Sequence, residues 1–450
     1  MNNLSTLSPV AVIGLGRVGR TIAQYLLYKR LPIYAYDDNK ENFNQKPNIS
    51  LLGNPRFMIM HDFHWPILNK KPQLAICSPG LSEHSEIVKF LRHNSIPILD
   101  EIEFAAQVLN RPVIAITGTN GKSTTTAILG KMLAADGKNV FWGGNLAPGL
   151  PFAIALMQEP KDFYVIEVSS FQLERISKFH PNIAVLLNIT ADHLDRHVSL
   201  SEYQQIKFKV FKNQNKSDYA VINHDDDTIM TFQNVIHARR LYFSKYNKVN
   251  GAYVKNNSIY FANSKICSVN KIRLFGSQYL GSILATITVA KILKVKNHII
   301  TNILSNFSGL EHRLEFVAEY NGVKYLNNSM CTNPDAGAAT LNSFNQPVIL
   351  IAGGKEKNLD VTTYIQSITQ KAKFTILIGE NSKRFSEMLQ KHDYQNFRIA
   401  DSLQDAVDIA KKCATQGDIV LFSPGFASFD KFANFQQRGT AFKEYIYELK

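Results

Sequence analysis

Short apolar runs rich in β-branched residues recur along the chain, and most end abruptly in glycine or a small polar residue. Val10-Ala11-Val12-Ile13 meets Gly14-Leu15-Gly16-Arg17-Val18-Gly19, and Leu74-Ala75-Ile76-Cys77 meets Ser78-Pro79-Gly80. Val113-Ile114-Ala115-Ile116 meets Thr117-Gly118-Thr119-Asn120-Gly121-Lys122-Ser123-Thr124. Further on, Pro347 to Ala352 ends in Gly353-Gly354, Phe374 to Ile378 in Gly379, and Asp418 to Phe422 in Ser423-Pro424-Gly425. Such runs read as buried strands, with others at Ile33 to Tyr36, Tyr164 to Ile166, Ile183 to Leu187 and Ala220 to Ile222. Segments with apolar residues at helical spacing lie between them: through Leu26 and Leu27, from Lys122 towards Ala135, and from Tyr279 to Leu293.

Strand, glycine turn and helix in repetition predict an α/β chain of mostly parallel sheets flanked by helices. The 450 residues group into three such domains: 1–110, Rossmann-like; 111–309, built on a phosphate loop; and 310–450, again Rossmann-like. The stretch from Leu241 to Leu274 alternates instead, with Asn256-Asn257 as a turn, and predicts antiparallel structure beside the main sheet.

Composition changes this picture little. An apolar share of 45% lets each domain build a core. A net charge of +13 suits nucleic acid, an acidic membrane surface or several anionic small ligands. No block of Lys and Arg with interleaved aromatics is present, which argues against nucleic acid. Cys77, Cys267, Cys331 and Cys413 are scattered without a CxxC pair, so neither a metal cluster nor a disulfide framework is expected. Met1 to Pro9 lacks the basic and apolar regions of a signal peptide, and no apolar run approaches the ~20 residues that span a bilayer. A cytoplasmic, soluble monomer without membrane insertion is expected.

Chemistry concentrates at the glycine turns. In Thr117 to Thr124 a strand runs into a glycine loop that opens a helix, the arrangement that grips a nucleoside triphosphate. Backbone N–H groups from Gly118 to Gly121 can face phosphate oxygens, helped by the helix N-terminus. Lys122 suits the β- and γ-phosphates, and Ser123 or Thr124 suits Mg²⁺. Ile116 stands where the full phosphate-loop pattern has its first glycine. Gly14-x-Gly16-x-x-Gly19, with Asp37 after the second strand, suits a dinucleotide such as NAD or another nucleotide-shaped ligand. A separate triphosphate loop a hundred residues on argues against a nicotinamide enzyme. Glu167 closes a strand, where a carboxylate holds Mg²⁺ or is merely a solvated edge acid. His193 and His197 are four apart, as in a zinc pair, but no third soft ligand stands at zinc spacing. On pattern alone Lys207 is a solvated helix lysine.

Together with Glu167 to Glu174, Asn188-x-Thr190-x-Asp192-His193-Leu194-Asp195-Arg196, Glu311-His312-Arg313, and Ser423 to Asp430 continuing through Phe435-Gln436-Gln437-Arg438-Gly439, the phosphate loop resembles the Mur ligase family of cell-wall peptide synthetases. The resemblance covers essentially the whole chain, and the two termini point to the branch that adds D-glutamate. It implies ATP-dependent joining of glutamate to UDP-N-acetylmuramoyl-L-alanine through an acyl phosphate. Gly14, Leu15, Gly16, Arg17, Val18 and Gly19 would cradle the diphosphate, and Asp37 would contact the uracil end. Ser78, Pro79, Gly80 and Asn145 would line the same ligand. Gly118, Thr119, Asn120, Gly121, Lys122, Ser123 and Thr124 would hold ATP, with His312, Arg313 and Asn328. Ser123, Glu167 and His193 would serve Mg²⁺. Lys207 matches a carbamylated lysine, whose carboxylate-like group would support a second Mg²⁺. Thr332, Lys357, Ser428 and Phe435 would hold the incoming amino acid. Lys122, Glu167, His193, Lys207 and Arg313 would carry the catalysis.

The pattern breaks at three places. The family's Asp-Ser-Lys run is Asn328-Ser329-Met330 here, Gln278-Tyr279 stands where a His-Asn pair meets adenine, and Ser282 replaces a later asparagine. A thioether cannot attract a carboxylate. These departures admit a working D-glutamate ligase, a variant taking another amino acid such as L-glutamate, or a non-catalytic binder of the UDP precursor.

Overall fold

The computed structural model describes residues 8–44, 50–67, 70–145, 149–190, 199–274, 279–356 and 359–449. His193, His197, Gln278 and Lys357 lie outside them. By compactness the chain forms two units, one of Met1–Lys271 with Leu280–Leu304, the other of Ile272–Tyr279 with Ser305–Lys450. Among the described residues the strands form three sheets.

The first unit holds two of them. In the first sheet, β1 (Val10–Ile13), β2 (Ile33–Tyr36), β3 (Phe57–Ile59), β4 (Leu74–Cys77) and β5 (Ile98–Asp100) lie in the order β3-β2-β1-β4-β5, all parallel. Every side chain of β1 and β4 is buried, because apolar clusters cover both faces. Register puts Ile13 beside Tyr36 and Cys77, so Gly14, Asp37 and Ser78 emerge together at the carboxyl edge, where the strand order reverses.

The second sheet comprises β6 (Val113–Thr117), β7 (Val140–Gly144), β8 (Phe163–Glu167), β9 (Ile183–Leu186), β10 (Tyr219–Asn223), β11 (Arg239–Ser244), β12 (Gly251–Lys255), β13 (Ser258–Phe261) and β14 (Ser264–Ser268). Its order is β14-β13-β12-β11-β10-β9-β6-β8-β7. The alternating stretch thus extends the main sheet at one edge, and the antiparallel pairing expected there is found in its last strands. β11 and β12 continue the parallel pairing, and only the β12–β13 and β13–β14 pairs are antiparallel. Asn256 and Asn257 take φ of 47° and 53°, the two-residue turn that fits a right-twisted hairpin.

The two sheets of this unit are joined by buried carboxylates at the end of β5. Asp100 pairs with Arg175 at 2.9 Å, and Arg175 also binds Glu83. Glu103 accepts the N–H groups of Ser177, Lys178 and Phe179 at 2.9, 2.7 and 2.9 Å. Glu101 accepts the N–H of Ala153 at 2.7 Å and Gln172 Nε2 at 3.3 Å. Burial pushes the Glu101 carboxyl up to about 7, despite those donors. An acid whose folded pKa lies above its ordinary 4.5 stabilises the fold fully below that value and loses the contribution as pH rises to about 7. Glu101→Gln is therefore expected to flatten the dependence of Tm on pH over that window, by up to ~3 kcal/mol of lost variation. Thermal unfolding at fixed ionic strength reads the slope, and an unchanged slope would mean that Glu101 does not titrate there.

The second unit holds β15 (Glu315–Tyr320), β16 (Val323–Asn327), β17 (Val348–Gly353), β18 (Ala372–Ile378), β19 (Phe397–Ile399) and β20 (Ile419–Phe422), in the order β15-β16-β20-β17-β18-β19. Apolar clusters again cover both faces. The sheet is parallel except for β15, which pairs antiparallel with β16 across the turn Asn321-Gly322, where φ is 51° and 73°. Among the described residues no helix is long and apolar enough to cross a membrane.

Candidate active site

The glycine loop after β1 is built for close approach. Gly14 takes φ of 88°, and a Cβ there would lie 2.8 Å from Ser78 Cβ. A Cβ on Gly19 would lie 1.7 Å from Gly14 O, so only glycine lets the helix Arg17–Tyr28 sit so close to the strand. Gly16 and Gly80 face open space, which leaves their backbones accessible to a ligand. Leu15, Val18 and Gly19 form the inner wall, while Gly16 and Arg17 are exposed. Asp37 accepts the Leu15 N–H at 2.6 Å, and also Asn39 N and Asn42 Nδ2 at 2.9 Å each. Its carboxylate therefore shapes the loop itself, in addition to any ligand contact. Ser78 N donates to Ile13 O at 2.9 Å, tying the Ser78-Pro79-Gly80 turn to the same edge.

The second sheet gathers the phosphate loop, Glu167, Asn145 and Lys207. Gly118 and Gly121 have positive φ, and a Cβ on them would meet Leu187 Cβ at 2.9 Å and Ser282 Oγ at 2.4 Å. The loop is clamped from the segment after β9. Thr119 N donates to Asn188 O at 3.0 Å, Asn120 N to Asn188 Oδ1 at 2.8 Å, and Thr190 N to Thr119 Oγ1 at 3.0 Å. Tyr203 OH lies 3.2 Å from Thr119 Oγ1. Lys122 curls over the loop and donates to Gly118 O at 2.9 Å and Thr119 O at 2.7 Å. Ser123 and Thr124 are buried in the first turn of the helix Lys122–Ala135, which aims its N-terminus at the loop.

Glu167 pairs with Ile116 across β6–β8 and is 3% exposed. Its Oε1 accepts Asn145 Nδ2 at 3.2 Å, and Asn145 N donates to Glu167 O at 3.0 Å. Its Oε2 is buried and lacks a hydrogen-bond partner among the described residues. A buried carboxylate oxygen beside a phosphate loop fits a divalent cation. Among the described residues no group of three or more His, Cys, Asp or Glu gathers as a metal cage. A cation here would draw on Glu167, the Ser123 hydroxyl, phosphate oxygens and water, the mixed shell Mg²⁺ prefers.

Lys207 corrects the pattern-based expectation of a solvated lysine. It lies on the inner face of the helix Leu200–Phe208 and is 1% exposed. Its Nζ donates to Gly118 O at 2.9 Å and lies 4.6 Å from the Tyr203 ring centroid. Asn188, Thr190 and Tyr203 are loop-holding residues that sequence reasoning did not single out for that role. The signal was available only for Asn188, which directly follows an apolar strand.

In the second unit, the expected residues sit on loops at the carboxyl edge. His312 and Leu314 flank Arg313 with φ of 62° and 45°, backbone values that cost non-glycine residues about 1–3 kcal/mol each. Four hydrogen bonds hold this turn: His312 N to Glu315 Oε2, Arg313 N to Leu310 O, Leu314 N to Asn328 Oδ1 and Met330 N to His312 O, at 2.9, 3.0, 3.2 and 3.0 Å. His312 is buried, and desolvation holds its imidazole below the ordinary range. Asn327 Oδ1 accepts Ser329 N, which orients the amide so that its Nδ2 donates to His312 Nδ1 at 3.0 Å. His312 is thus an interior brace of this unit. Asn328 donates to Thr340 Oγ1 and Ser423 Oγ at 3.0 and 3.1 Å, which ties the loop after β16 to the one after β20. Burial pushes the Tyr279 phenol up to about 12, partly offset by the Arg313 charge. Thr332 and Phe435 are partly buried and Ser428 is buried. Lys355, beyond Gly354, pairs with Glu380 at 2.6 Å.

The geometry so far defines a phosphate-loop α/β protein with a second glycine-lined ligand edge. Comparison with known proteins places it further. Residues 116–304 match the Mur ligase middle domain, and residues 312–426 match the Mur ligase glutamate ligase domain. The UDP-N-acetylmuramoylalanine–D-glutamate ligase of Thermoanaerobacter pseudethanolicus is 38% identical over 98% of each chain. That of Pelotomaculum thermopropionicum is 35% identical over 99% of this chain and 98% of its own. Among solved structures, the UDP-N-acetylmuramate–alanine ligase MurC of Thermotoga maritima shares the fold, with a TM-score of 0.58 and 17% identity over 98% of this chain and 99% of its own. MurF of the same organism, solved with ADP, gives 0.55 and 15% over 86% and 91%. The chain belongs to the Mur ligase family.

Proposed function

We propose that this protein is a cytoplasmic ATP-dependent ligase that joins D-glutamate to UDP-N-acetylmuramoyl-L-alanine in peptidoglycan precursor synthesis. What supports the reading most is the convergence at one sheet edge of the phosphate loop, Glu167, whose Oε2 has no partner among the described residues, Asn145 and buried Lys207. The same unit carries the Gly14–Gly19 turn and Ser78, suited to a nucleotide diphosphate. The full-length likeness to D-glutamate ligases supplies the substrate identities.

The residues divide the work as follows. Gly118 to Gly121 and the helix start orient the triphosphate, and Lys122 balances charge that builds on the transferred phosphoryl group. Mg²⁺ held by Ser123 and Glu167 would neutralise phosphate oxygens. Asn145, fixed by Glu167, orients the muramoyl-alanine so that its carboxylate attacks in line. The carboxylate thereby becomes an acyl phosphate, the amino acid's nitrogen displaces phosphate, and an amide results. Thr332, Ser428 and Phe435 receive the amino acid. The assay is ADP release with purified protein, ATP and the UDP precursor. We expect release only when D-glutamate is added, and equal release with L-glutamate would replace this reading with the variant ligase.

A further inference from the structure

We infer that Arg438 is a positioning residue that locks the amino-acid-binding loops into shape, an inference that rests on the assignment of those loops above. The side chain belongs to the first turn of the helix Phe435–Tyr447 and is 1% exposed. Its Nε donates to Ser329 Oγ at 3.1 Å, Nη2 to Ser329 O at 2.9 Å and Nη1 to Phe426 O at 2.9 Å. Ser329 Oγ in turn donates a hydrogen bond to Phe435 O at 2.8 Å. One guanidinium therefore bridges the loop after β16, which runs on to Thr332, and the loop after β20, which runs on to Ser428. The loop after β17 closes on the same group: a Cβ on Gly354 would lie 3.2 Å from Nη1 and 2.4 Å from Ala427 O. Gly425 N donates to Cys331 O at 3.1 Å and Lys355 N to Ala427 O at 2.9 Å, completing the stitching.

Among the described residues this guanidinium forms no ion pair, although the Asp430 charge acts on it from further off and offsets part of the cost of burial. Burying a cation without an ion pair is costly, and an apolar side chain would fill the space more cheaply. What an apolar residue cannot supply is a flat fork of donors that reaches two loops at once. Burial draws the Arg438 pKa down to about 10, so the group stays cationic at neutral pH and keeps all its donors. Lysine would retain the charge but lose the fork.

The test uses Arg438→Lys and, should that variant fold poorly, Ser329→Ala, which removes the Nε contact and the bond to Phe435 O but keeps the Nη2 contact. Arg438→Lys is expected to raise the KM for the amino acid at least tenfold while the KM values for ATP and the UDP precursor stay within twofold. Ser329→Ala moves the same way by less. Amide hydrogen exchange should speed up in 329–332 and 425–428, and not in the strands of the same unit. Millimolar guanidinium added to Arg438→Ala should recover part of the amino-acid affinity. Unchanged exchange in those loops overturns the proposal, and so does a parallel rise in all three KM values. Because exchange is read without turnover, a wild-type protein that releases no ADP would defeat the functional reading and leave the loop lock to be decided by exchange.

Discussion

Lys207→Ala is expected to lower ADP formation at least a hundredfold, and acetate or propionate is expected to return part of it. The lysine is not on the surface, where its loss would cost little. It is buried with Nζ 2.9 Å from Gly118 O, against the glycine loop after β6. A bare ammonium at that point holds Gly118 O and otherwise only adds positive charge, which Lys122 already supplies. A carbamate on the same nitrogen would present a carboxylate-like anion to a cation beside the phosphates, and a small carboxylic acid diffusing into the truncated side chain's space would imitate it. Turnover measured across a series of short-chain acids checks this. Recovery should fall as the acid becomes too large for the cavity, and no recovery with any acid would rule out the carbamate. Melting curves of the variant separate this from unfolding.

The second large effect is expected at Lys122. Lys122→Met should cut kcat for ADP formation by about 10²–10³, or roughly 3–4 kcal/mol, the usual loss when one donor to developing charge is removed. The mechanism is differential: the ammonium gains most when negative charge shifts onto the transferring phosphoryl oxygens, so kcat should fall more than KM for ATP rises. Its present bonds to Gly118 O and Thr119 O hold the amine at the loop's mouth, so the methionine variant should fold and bind the UDP precursor normally. Steady-state kinetics with both substrates varied gives the answer. A drop of less than tenfold would show that another cation does this work.

Much of this was legible in the sequence because glycine marks the points where the backbone itself does the work. Gly14, Gly19, Gly118 and Gly121 all proved to be places where a Cβ would strike a neighbour, and the strands that end at them were readable as apolar runs. Residues whose role depends on a partner distant in sequence were harder. Lys207 sits between Ile206 and Phe208 on a helix with no clear apolar stripe, and only the packing turns it inward. Arg438 has no local pattern at all, since its acceptors lie 109 and 12 residues away. The Asn321-Gly322 hairpin carried the expected turn signal but was hidden because β15 is only partly buried and does not alternate cleanly. β7 was hidden for a related reason: Trp142 interrupts it on an exposed face and two glycines end it.

The proposed mechanism has ATP activate the carboxylate of the UDP-linked acid before the amine attacks. It is tested most directly by labelling both oxygens of that carboxylate with ¹⁸O and analysing the phosphate released during turnover with D-glutamate. Activation through an acyl phosphate predicts one ¹⁸O in each phosphate and one retained in the amide. Phosphate free of label would contradict the account, whatever the rate at which ADP is formed.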